Sequence, residues 1–274
     1  MVFYASLPVY YHYLPTSRYL LGRSRSEIWQ LDCFLGPYHW TCNHIYSMTK
    51  REWSTYERQY CIDHDAQTFT KTEIHHNTNA RGERTTPWKS TERIKNEYYA
   101  LRLVKKNTTI PVPQPLLLEK GPTGWSVTME YVAGTPLDEL PENIRAAAVQ
   151  NADRYINDLV LPQLAKLKSR RSGALTGDVI PPRRVIERYP GKKWTPVIRT
   201  QTQSFVFCHG DLGQHNILCD PSTGNVVSII DWEYAGYYDQ FFEGRLWLKP
   251  FHETEHDDDE TALLERSLTD EHYE

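Results

Sequence analysis

The segment from Phe205 to Glu233 constrains the fold more than any other part of the sequence. Two short apolar runs flank the turn Asp220–Asn225, whose proline and glycine favour chain reversal, so the segment predicts a β-hairpin. Antiparallel pairing then puts Asn216, just before the first strand, and Asp231, just after the second, at the same end of the hairpin. Asp211 precedes Asn216 by five residues, and a compact loop would bring all three polar groups to one place.

These three polar groups have the composition of a phosphoryl-transfer site. A carboxylate and an amide supply the hard oxygen ligands that Mg²⁺ prefers, and this ion usually keeps waters and substrate phosphates among its other ligands. A second carboxylate that does not bind the metal can orient an attacking hydroxyl group. Such a site also needs a cation for the phosphates, which must come from elsewhere in the chain.

Other interpretations of the same segment are weaker. A zinc site would have to use Cys208, His209, His215 and Cys219, but two of these are adjacent and Cys219 falls within a strand, so the spacing does not suit a tetrahedral site. His209 is better suited to brace the loop through hydrogen bonds than to act as a general base. A purely loop-capping role is the structural alternative for the three polar residues.

Upstream of the hairpin, the pattern predicts strands and one helix. Gln67–Ile74 is rich in threonine and favours a strand. Apolar residues at helical spacing predict a helix of about four turns from a cap at Thr91 to Asn107. Leu116–Leu118 and Trp125–Val132 flank a turn containing two glycines and a proline, which predicts a second hairpin.

A break in this pattern at Ala133–Pro136 marks a predicted boundary between two lobes. A long amphipathic helix is expected beyond it, from Pro141 to Lys168, with an interruption at Pro162. The chain is thus divided, in order, into a segment without assigned structure, 1–65, an N-terminal lobe, 66–132, a C-terminal lobe, 133–250, and an acidic, disordered tail, 251–274.

Composition and charge exclude several classes of protein. The formal charge of −4 divides into about +5 on residues 1–250 and −9 on residues 251–274, so no basic stripe points to nucleic acid. No run of apolar residues is long enough to span a membrane. Five cysteines, an odd number scattered along the chain, do not suggest a disulfide framework and favour a reducing, cytoplasmic compartment.

The order of the motifs resembles one known family. His209-Gly210-Asp211, with Asn216 five residues beyond Asp211, followed by Ile229–Glu233, is similar to the aminoglycoside phosphotransferase and choline kinase-like family, which are small-molecule relatives of protein kinases. Asn96–Val104 is similar to the helix that carries a glutamate in that family, and Thr128–Gly134 is similar to its interlobe hinge. The resemblance covers roughly residues 68–249.

The resemblance implies a two-lobed, protein-kinase-like α+β fold, with a small mixed N-terminal lobe and a mainly helical, shortened C-terminal lobe. ATP would bind in the cleft between the lobes. By the same resemblance, Asp211 would orient or deprotonate the acceptor hydroxyl group, and Asn216 and Asp231 would bind Mg²⁺. The adenine would meet the backbone of three hinge residues, Glu130, Tyr131 and Val132.

In the same family, a glutamate pairs with the lysine that contacts the phosphates, and Glu97 stands at that position here. Two lysines are candidates for the partner of Glu97. Lys71 is favoured because it lies in a strand-like segment, whereas Lys89, eight residues before Glu97, lies beside Pro87 in poor strand sequence.

The implied activity is transfer of the γ-phosphate of ATP to a hydroxyl group of a small molecule, with no nucleic-acid or membrane partner. Three features support an alternative, a catalytically silent kinase-like protein that binds a nucleotide or a partner, and the first is the irregular segment 1–65. No glycine-rich phosphate loop precedes Gly121, where the only glycines are Gly22, Gly36 and Gly82. The sequence after Gly236 also lacks most of the family's C-terminal helices, which often form the acceptor pocket.

Overall fold

The computed structural model describes residues 49–74, 77–78, 84–85, 87–189, 191–200, 202–249, 262 and 267–268 of the 274-residue chain. Most of the segment 1–65 and of the tail 251–274 therefore lies outside the described residues. Within these described ranges, no helix has both the length and the apolar character that crossing a membrane requires.

The N-terminal lobe is built on one five-stranded antiparallel sheet. Its strands are β1 (Lys50–Ser54), β2 (Arg58–Asp63), β3 (Thr68–Glu73), β4 (Pro115–Gly121) and β5 (Gly124–Glu130). Their order across the sheet is β1-β2-β3-β5-β4. The predicted strand β3 and the predicted hairpin β4–β5 are confirmed, whereas β1 and β2 lie in the segment to which the sequence assigned no structure. A two-stranded ribbon, Asn77–Thr78 with Arg84–Thr85, follows β3.

The register of the sheet decides which side chains share its inner face. Lys71 on β3 pairs directly with Tyr60 on β2 and with Val127 on β5. Side chains directly opposite each other on neighbouring strands lie on the same face. Because Val127 is buried in the core, Lys71 and Tyr60 also point to the inner side of the sheet.

Helix α1 (Ser90–Asn107) packs between this sheet and the hairpin that carries Asp231. Its buried side includes Ile94, Leu101 and Val104, at the spacing of one helix face. The predicted cap at Thr91 is wrong, because the Thr91 hydroxyl donates to Glu73 Oε2 at 2.6 Å and the helix begins one residue earlier.

The C-terminal lobe begins with one long helical stretch. Helix α2 (Glu142–Tyr155) continues through a π-helical turn, Ile156–Val160, into α3 (Leu161–Leu164). The predicted interruption at Pro162 does not occur. Pro162 stands at the start of a new turn, just after the wider π-helical turn, where the missing N–H is tolerated.

Two small sheets and a short helix, α4 (Arg183–Arg188), complete the described part of this lobe. The strands are β6 (Phe205–Cys208), β7 (Ile217–Cys219), β8 (Val226–Ile229) and β9 (Gly236–Tyr238), together with the two-residue strands Thr135–Pro136 and Lys168–Ser169. Single 3₁₀ turns lie at Leu137–Glu139, Gln214–Asn216, Trp232–Tyr234, Gln240–Glu243 and Leu246–Leu248. The predicted hairpin β7–β8 is confirmed. Over the described residues, the lobe has fewer helices than the resemblance implied.

The largest core cluster extends through both lobes, from Val127 and Met129 in the sheet to Ala148 and Ile156 on the long helical stretch. A smaller cluster lies behind α4 and includes Tyr238, Phe242 and Leu268. Leu268 belongs to the acidic tail, and its neighbour Ser267 donates a hydrogen bond to Asp239 at 2.6 Å. The predicted solvation of the tail therefore does not hold at these two residues.

Candidate active site

Lys71 joins the three elements on which the predicted phosphate site depends. Its Nζ lies 2.9 Å from Glu97 Oε1 on α1 and 2.8 Å from Asp231 Oδ1 after β8. Lys89, the rival candidate, instead contacts Asp178 at 2.6 Å. The structure therefore pairs Glu97 with Lys71, and the inner face of β3 positions this lysine.

The charges of this group differ in their exposure. Glu97 and Lys71 are buried, whereas the Asp231 side chain is 33% exposed. Burial alone would lower the pKa of Lys71, but Asp231 and Glu97 raise it above its usual value, so Lys71 stays protonated. Burial raises the pKa of Glu97 against the effect of Lys71. One lysine and two carboxylates leave a single negative charge when all are ionised.

The loop after β6 carries Asp211 and ties it to Asn216. The side-chain amide of Asn216 donates to the Asp211 carbonyl oxygen at 2.8 Å and to Asp211 Oδ2 at 3.3 Å. Asn216 accepts a backbone hydrogen bond from Ile230, the residue before Asp231, at 3.0 Å. The hairpin thus brings the three predicted residues to the same end, as the sequence indicated.

Asp211 is held in its ionised form. Burial would raise its pKa, but the hydrogen bond and charge of His215, whose Nε2 lies 3.5 Å from Asp211 Oδ2, lower it overall. The same contact raises the pKa of His215, although burial opposes this shift. An ionised carboxylate can accept a hydrogen bond from a hydroxyl group, which is what alignment of an acceptor requires.

His209 braces the loop, as predicted. Its Nδ1 accepts the backbone N–H of Asp211 at 3.2 Å, and its Nε2 bonds to the carbonyl oxygen of Ile230 at 2.9 Å. These two bonds fix the neutral tautomer with the proton on Nε2. Burial lowers the pKa of His209, which keeps the ring neutral. The backbone N–H of His209 donates to the buried carboxylate of Glu243.

Gly210 is required by the conformation of this loop. Its φ is +82°, in the region that favours glycine. A Cβ atom at this position would lie 2.6 Å from the backbone oxygen of Tyr234, which cannot move away as a flexible side chain could. The residue between His209 and Asp211 therefore permits the close contact between the loop and the segment after Asp231.

The donor set at the end of the hairpin fits a magnesium ion. The amide nitrogen of Asn216 is occupied by Asp211, which leaves its Oδ1 as the side-chain oxygen available to a metal. Asp231 is partly exposed and uses Oδ1 for Lys71. A second possible ligand group consists of Glu97, Asp231 and Glu233, whose oxygens lie within 4.8 Å of one another. Both oxygens of Glu233, however, accept hydrogen bonds from arginines. Asn216 and Asp231 are therefore the better pair.

The predicted hinge follows directly after β5. The N–H of Glu130 donates to Gln114 and that of Tyr131 to Gln67, both at 2.9 Å. In the part of the chain that the structure describes, the Val132 N–H has no such backbone partner. Of the three hinge N–H groups, those of Glu130 and Tyr131 therefore already have backbone partners within the described residues.

Sequence reasoning missed the contributions of β1 and β2. Trp53 and Tyr60 stack with their rings 5.1 Å apart, and Tyr60 stacks on Phe69 at 5.9 Å. Arg58, at the start of β2, is buried against Glu233. The signal available for Glu233 was its place two residues after Asp231, but nothing near Arg58 in the sequence indicated a buried arginine.

Comparisons with known proteins identify the family and the fold of the chain. A model of the phosphotransferase enzyme family matches residues 83–244, a range that includes Glu97, Asp211, Asn216 and Asp231 and begins after Lys71. No curated protein sequence matches the chain.

Solved structures of aminoglycoside phosphotransferases have a similar fold. APH(3'')-Id from Streptomyces rimosus is 18% identical, with a TM-score of 0.50 over 80% of this chain and 84% of that one. APH(4)-Ia in complex with AMP-PNP and hygromycin B is 14% identical, with a TM-score of 0.45 over 71% and 69%. Aminoglycoside 2'-phosphotransferase-IIIa with GDP is 12% identical, with a TM-score of 0.45 over 73% and 71%. The first likeness establishes the two-lobed, protein-kinase-like α+β fold.

Proposed function

Because the chain belongs to the phosphotransferase enzyme family, we propose that it transfers the γ-phosphate of ATP to a hydroxyl group of a small molecule. The observation that carries the proposal is the contact of Lys71 with both Glu97 and Asp231, next to an ionised Asp211. Aminoglycosides are the small molecules bound in structures of similar fold, and the acceptor here is proposed only as a hydroxyl-bearing small molecule.

Each residue has a defined task in this proposal. Lys71, held by Glu97, would neutralise the phosphates, and the Val132 N–H, beside Glu130 and Tyr131, would bind the adenine. Asn216 and Asp231 would hold Mg²⁺, which supplies charge neutralisation and alignment of the phosphates when bound. Asp211 would accept the proton of the acceptor hydroxyl and align its oxygen. Positioning and electrostatics then provide most of the catalysis.

The proposed organisation and location follow from the same features. The N-terminal lobe of this proposal, 66–132, is extended by β1 and β2 back to Lys50, and the C-terminal lobe, 133–250, carries Asp211, Asn216 and Asp231. Free thiols at Cys61, Cys208 and Cys219 support a reducing, cytoplasmic compartment.

Phosphate transfer from labelled ATP to a panel of hydroxyl-bearing small molecules, together with slow ATP hydrolysis, tests this function. Wild-type activity should require Mg²⁺, and Asp211→Asn should lower it by about 10²–10⁴-fold while ATP binding persists. Asp158→Asn, at an exposed aspartate on the π-helical turn, is the matched control and should keep full activity. Equal activity of D211N and D158N would refute the assigned role of Asp211.

A catalytically silent nucleotide-binding protein is the second candidate. The observation in its favour is the tight turn between β1 and β2, where Thr55, Tyr56 and Glu57 stand without a glycine and Glu57 is bonded to Arg93. Thermal shift with ATP, with and without Mg²⁺, separates the candidates. Absence of Mg²⁺-dependent stabilisation by ATP would favour the silent protein.

A further inference from the structure

Four buried or partly buried charges join the β1–β2 turn, α1 and the segment after Asp231. Glu233 lies two residues beyond Asp231, and its two carboxylate oxygens accept from different arginines. Arg58 donates to Oε2 at 2.9 Å and Arg93 to Oε1 at 3.0 Å. Arg93 also contacts Glu57 Oε2 at 2.7 Å. We call Glu57, Arg58, Arg93 and Glu233 the arginine–glutamate cluster.

Three of the four members of the cluster are buried, and Glu57 is partly exposed. Arg58 is 2% exposed, Arg93 is 1% exposed and Glu233 is 6% exposed. The two positive charges of Arg58 and Arg93 are balanced by the two negative charges of Glu233 and Glu57, so the cluster as a whole is neutral.

The cluster also uses hydrogen bonds to place the backbone around it. Arg58 donates to the Ser90 hydroxyl at the start of α1, at 2.6 Å. Asn96, beside Glu97, donates to the carbonyl oxygens of Glu233 and Ala235 at 3.1 and 2.7 Å. Helix α1 is therefore fixed to the segment after Asp231 by both side chains and backbone.

Position in the fold links this cluster to the phosphate site. Arg93 precedes Glu97 by one helical turn, and Glu233 follows Asp231 by two residues. Asp231 itself has a φ of 64°, a conformation that non-glycine residues adopt only when their surroundings hold them there. A contact between Arg93 and Glu233 fixes the distance between the two elements that supply the partners of Lys71.

We propose that Glu233 is a positioning residue: through Arg58 and Arg93 it holds α1 and the β1–β2 turn against the Asp231 segment, so that Lys71, Glu97 and Asp231 are in place before nucleotide binds. A metal-binding role for Glu233 does not fit, because both of its oxygens are occupied by arginines. The expected effect on nucleotide binding rests on the proposed function, whereas the placement of α1 and the β1–β2 turn against the Asp231 segment does not.

Glu233→Gln is the decisive variant, because it keeps the size of the side chain and removes its charge. Asp153→Asn is the matched control: Asp153 also accepts from an arginine, Arg245 at 3.1 Å, but lies away from the phosphate site. In ligand-free protein, hydrogen exchange of the amides of α1 and of 231–236 should become at least tenfold faster in E233Q and stay unchanged in D153N.

Binding measurements give the second readout. E233Q should bind Mg-ATP at least tenfold more weakly than wild type, while adenosine, which lacks the phosphates, should bind within twofold. Merely global destabilisation would weaken both ligands alike. If E233Q does not fold, Glu57→Gln replaces it, because Glu57 is partly exposed and its removal leaves the Glu233 contacts in place; a smaller change in the same direction is expected.

The outcomes separate the two proposals. Unchanged exchange of α1 and 231–236 in E233Q overturns the inference and leaves the proposed phosphotransferase function standing. Equal weakening of Mg-ATP and adenosine also overturns it. If wild-type protein binds no Mg-ATP, the proposed function fails and the positioning role at a phosphate site fails with it, even where exchange responds as expected. Faster exchange with selective loss of Mg-ATP supports the inference.

Discussion

Replacing Lys71 with methionine removes the positive charge from the centre of the candidate site and leaves a side chain of similar length. Glu97 and Asp231 then lose the ammonium group that lies 2.9 and 2.8 Å from their oxygens. Glu97 is fully buried, and its Oε2 has no hydrogen-bond partner among the described residues. The variant therefore strands a buried carboxylate beside a second one.

The size of the effect follows from the geometry. The two carboxylates approach within 4.8 Å, where two like charges repel by about 3 kcal/mol at an effective dielectric constant of roughly 20. Breaking a buried ion pair costs about 3–5 kcal/mol, because it leaves a buried charge without a partner, unless the remaining group becomes neutral. We therefore expect K71M to lower the free energy of unfolding by about 3 kcal/mol where Glu97 is ionised.

The loss should depend on pH with a definite sign. Without Lys71, the pKa of folded Glu97 rises further above its unfolded value, because the lysine is what opposes the effect of burial. A raised pKa in the folded state gives stability that is present at low pH and lost as the pH increases. The defect of K71M should therefore be small at about pH 5 and large at about pH 8.

Urea unfolding followed by tryptophan fluorescence measures this, since Trp232 and Trp247 are fully buried. The double variant K71M/E97Q removes the stranded charge and should recover most of the stability at about pH 8. A K71M defect of equal size at both pH values, or a double variant as unstable as the sum of the single ones, would refute the reasoning from buried charge.

Three further predictions concern the loop that carries Asp211 and the proposed metal site. Burial raises the pKa of Glu243 to about 7, so its contribution to stability is present below about pH 4.5 and lost as the pH rises towards 7. Glu243→Gln, which keeps an acceptor for His209, should flatten the pH dependence of urea unfolding by about 3 kcal/mol over that range. Gly210→Ala should lower the free energy of unfolding by about 1–3 kcal/mol, because its Cβ would meet the Tyr234 backbone oxygen; unchanged stability would contradict the requirement for glycine at this position. Asp231→Ala, which leaves no side-chain oxygen at this position, should abolish the Mg²⁺-dependent part of the thermal shift with ATP, and a retained metal dependence would exclude Asp231 as a ligand.

Sequence reasoning located the elements that obey a local pattern. The hairpin β7–β8 was predictable because its turn residues and apolar runs are adjacent in the chain, and the same holds for β4–β5. The convergence of Asn216 and Asp231 followed from antiparallel pairing, and that of Asp211 from the short loop that joins it to Asn216. The choice of Lys71 over Lys89 was a preference that the structure decided, since only the fold brings β3 to the buried face of α1.

The features that the sequence did not reveal depend on residues that are far away in the chain. All five residues of β1 are exposed, so no alternation of apolar and polar residues marks the strand. Arginine is usually a surface residue, and the burial of Arg58 and Arg93 depends on Glu233, which lies 175 and 140 residues away and accepts hydrogen bonds from both. The wrong prediction of a cap at Thr91 has a similar cause. Its hydroxyl donates a hydrogen bond to Glu73 on strand β3 instead of capping α1.

Because Leu268 is buried, the acidic tail contributes to the packing of the protein as well as to its charge. Leu268 packs with Tyr238 and Phe242, and the residue after Phe242 is Glu243, which holds the backbone of His209. Proteolytic removal of everything after residue 250 would therefore take away a packed apolar side chain as well as a net charge of −9. Added salt can screen the positive charge that remains on such a shortened chain, but only an apolar group can refill the space behind the loop that carries Asp211.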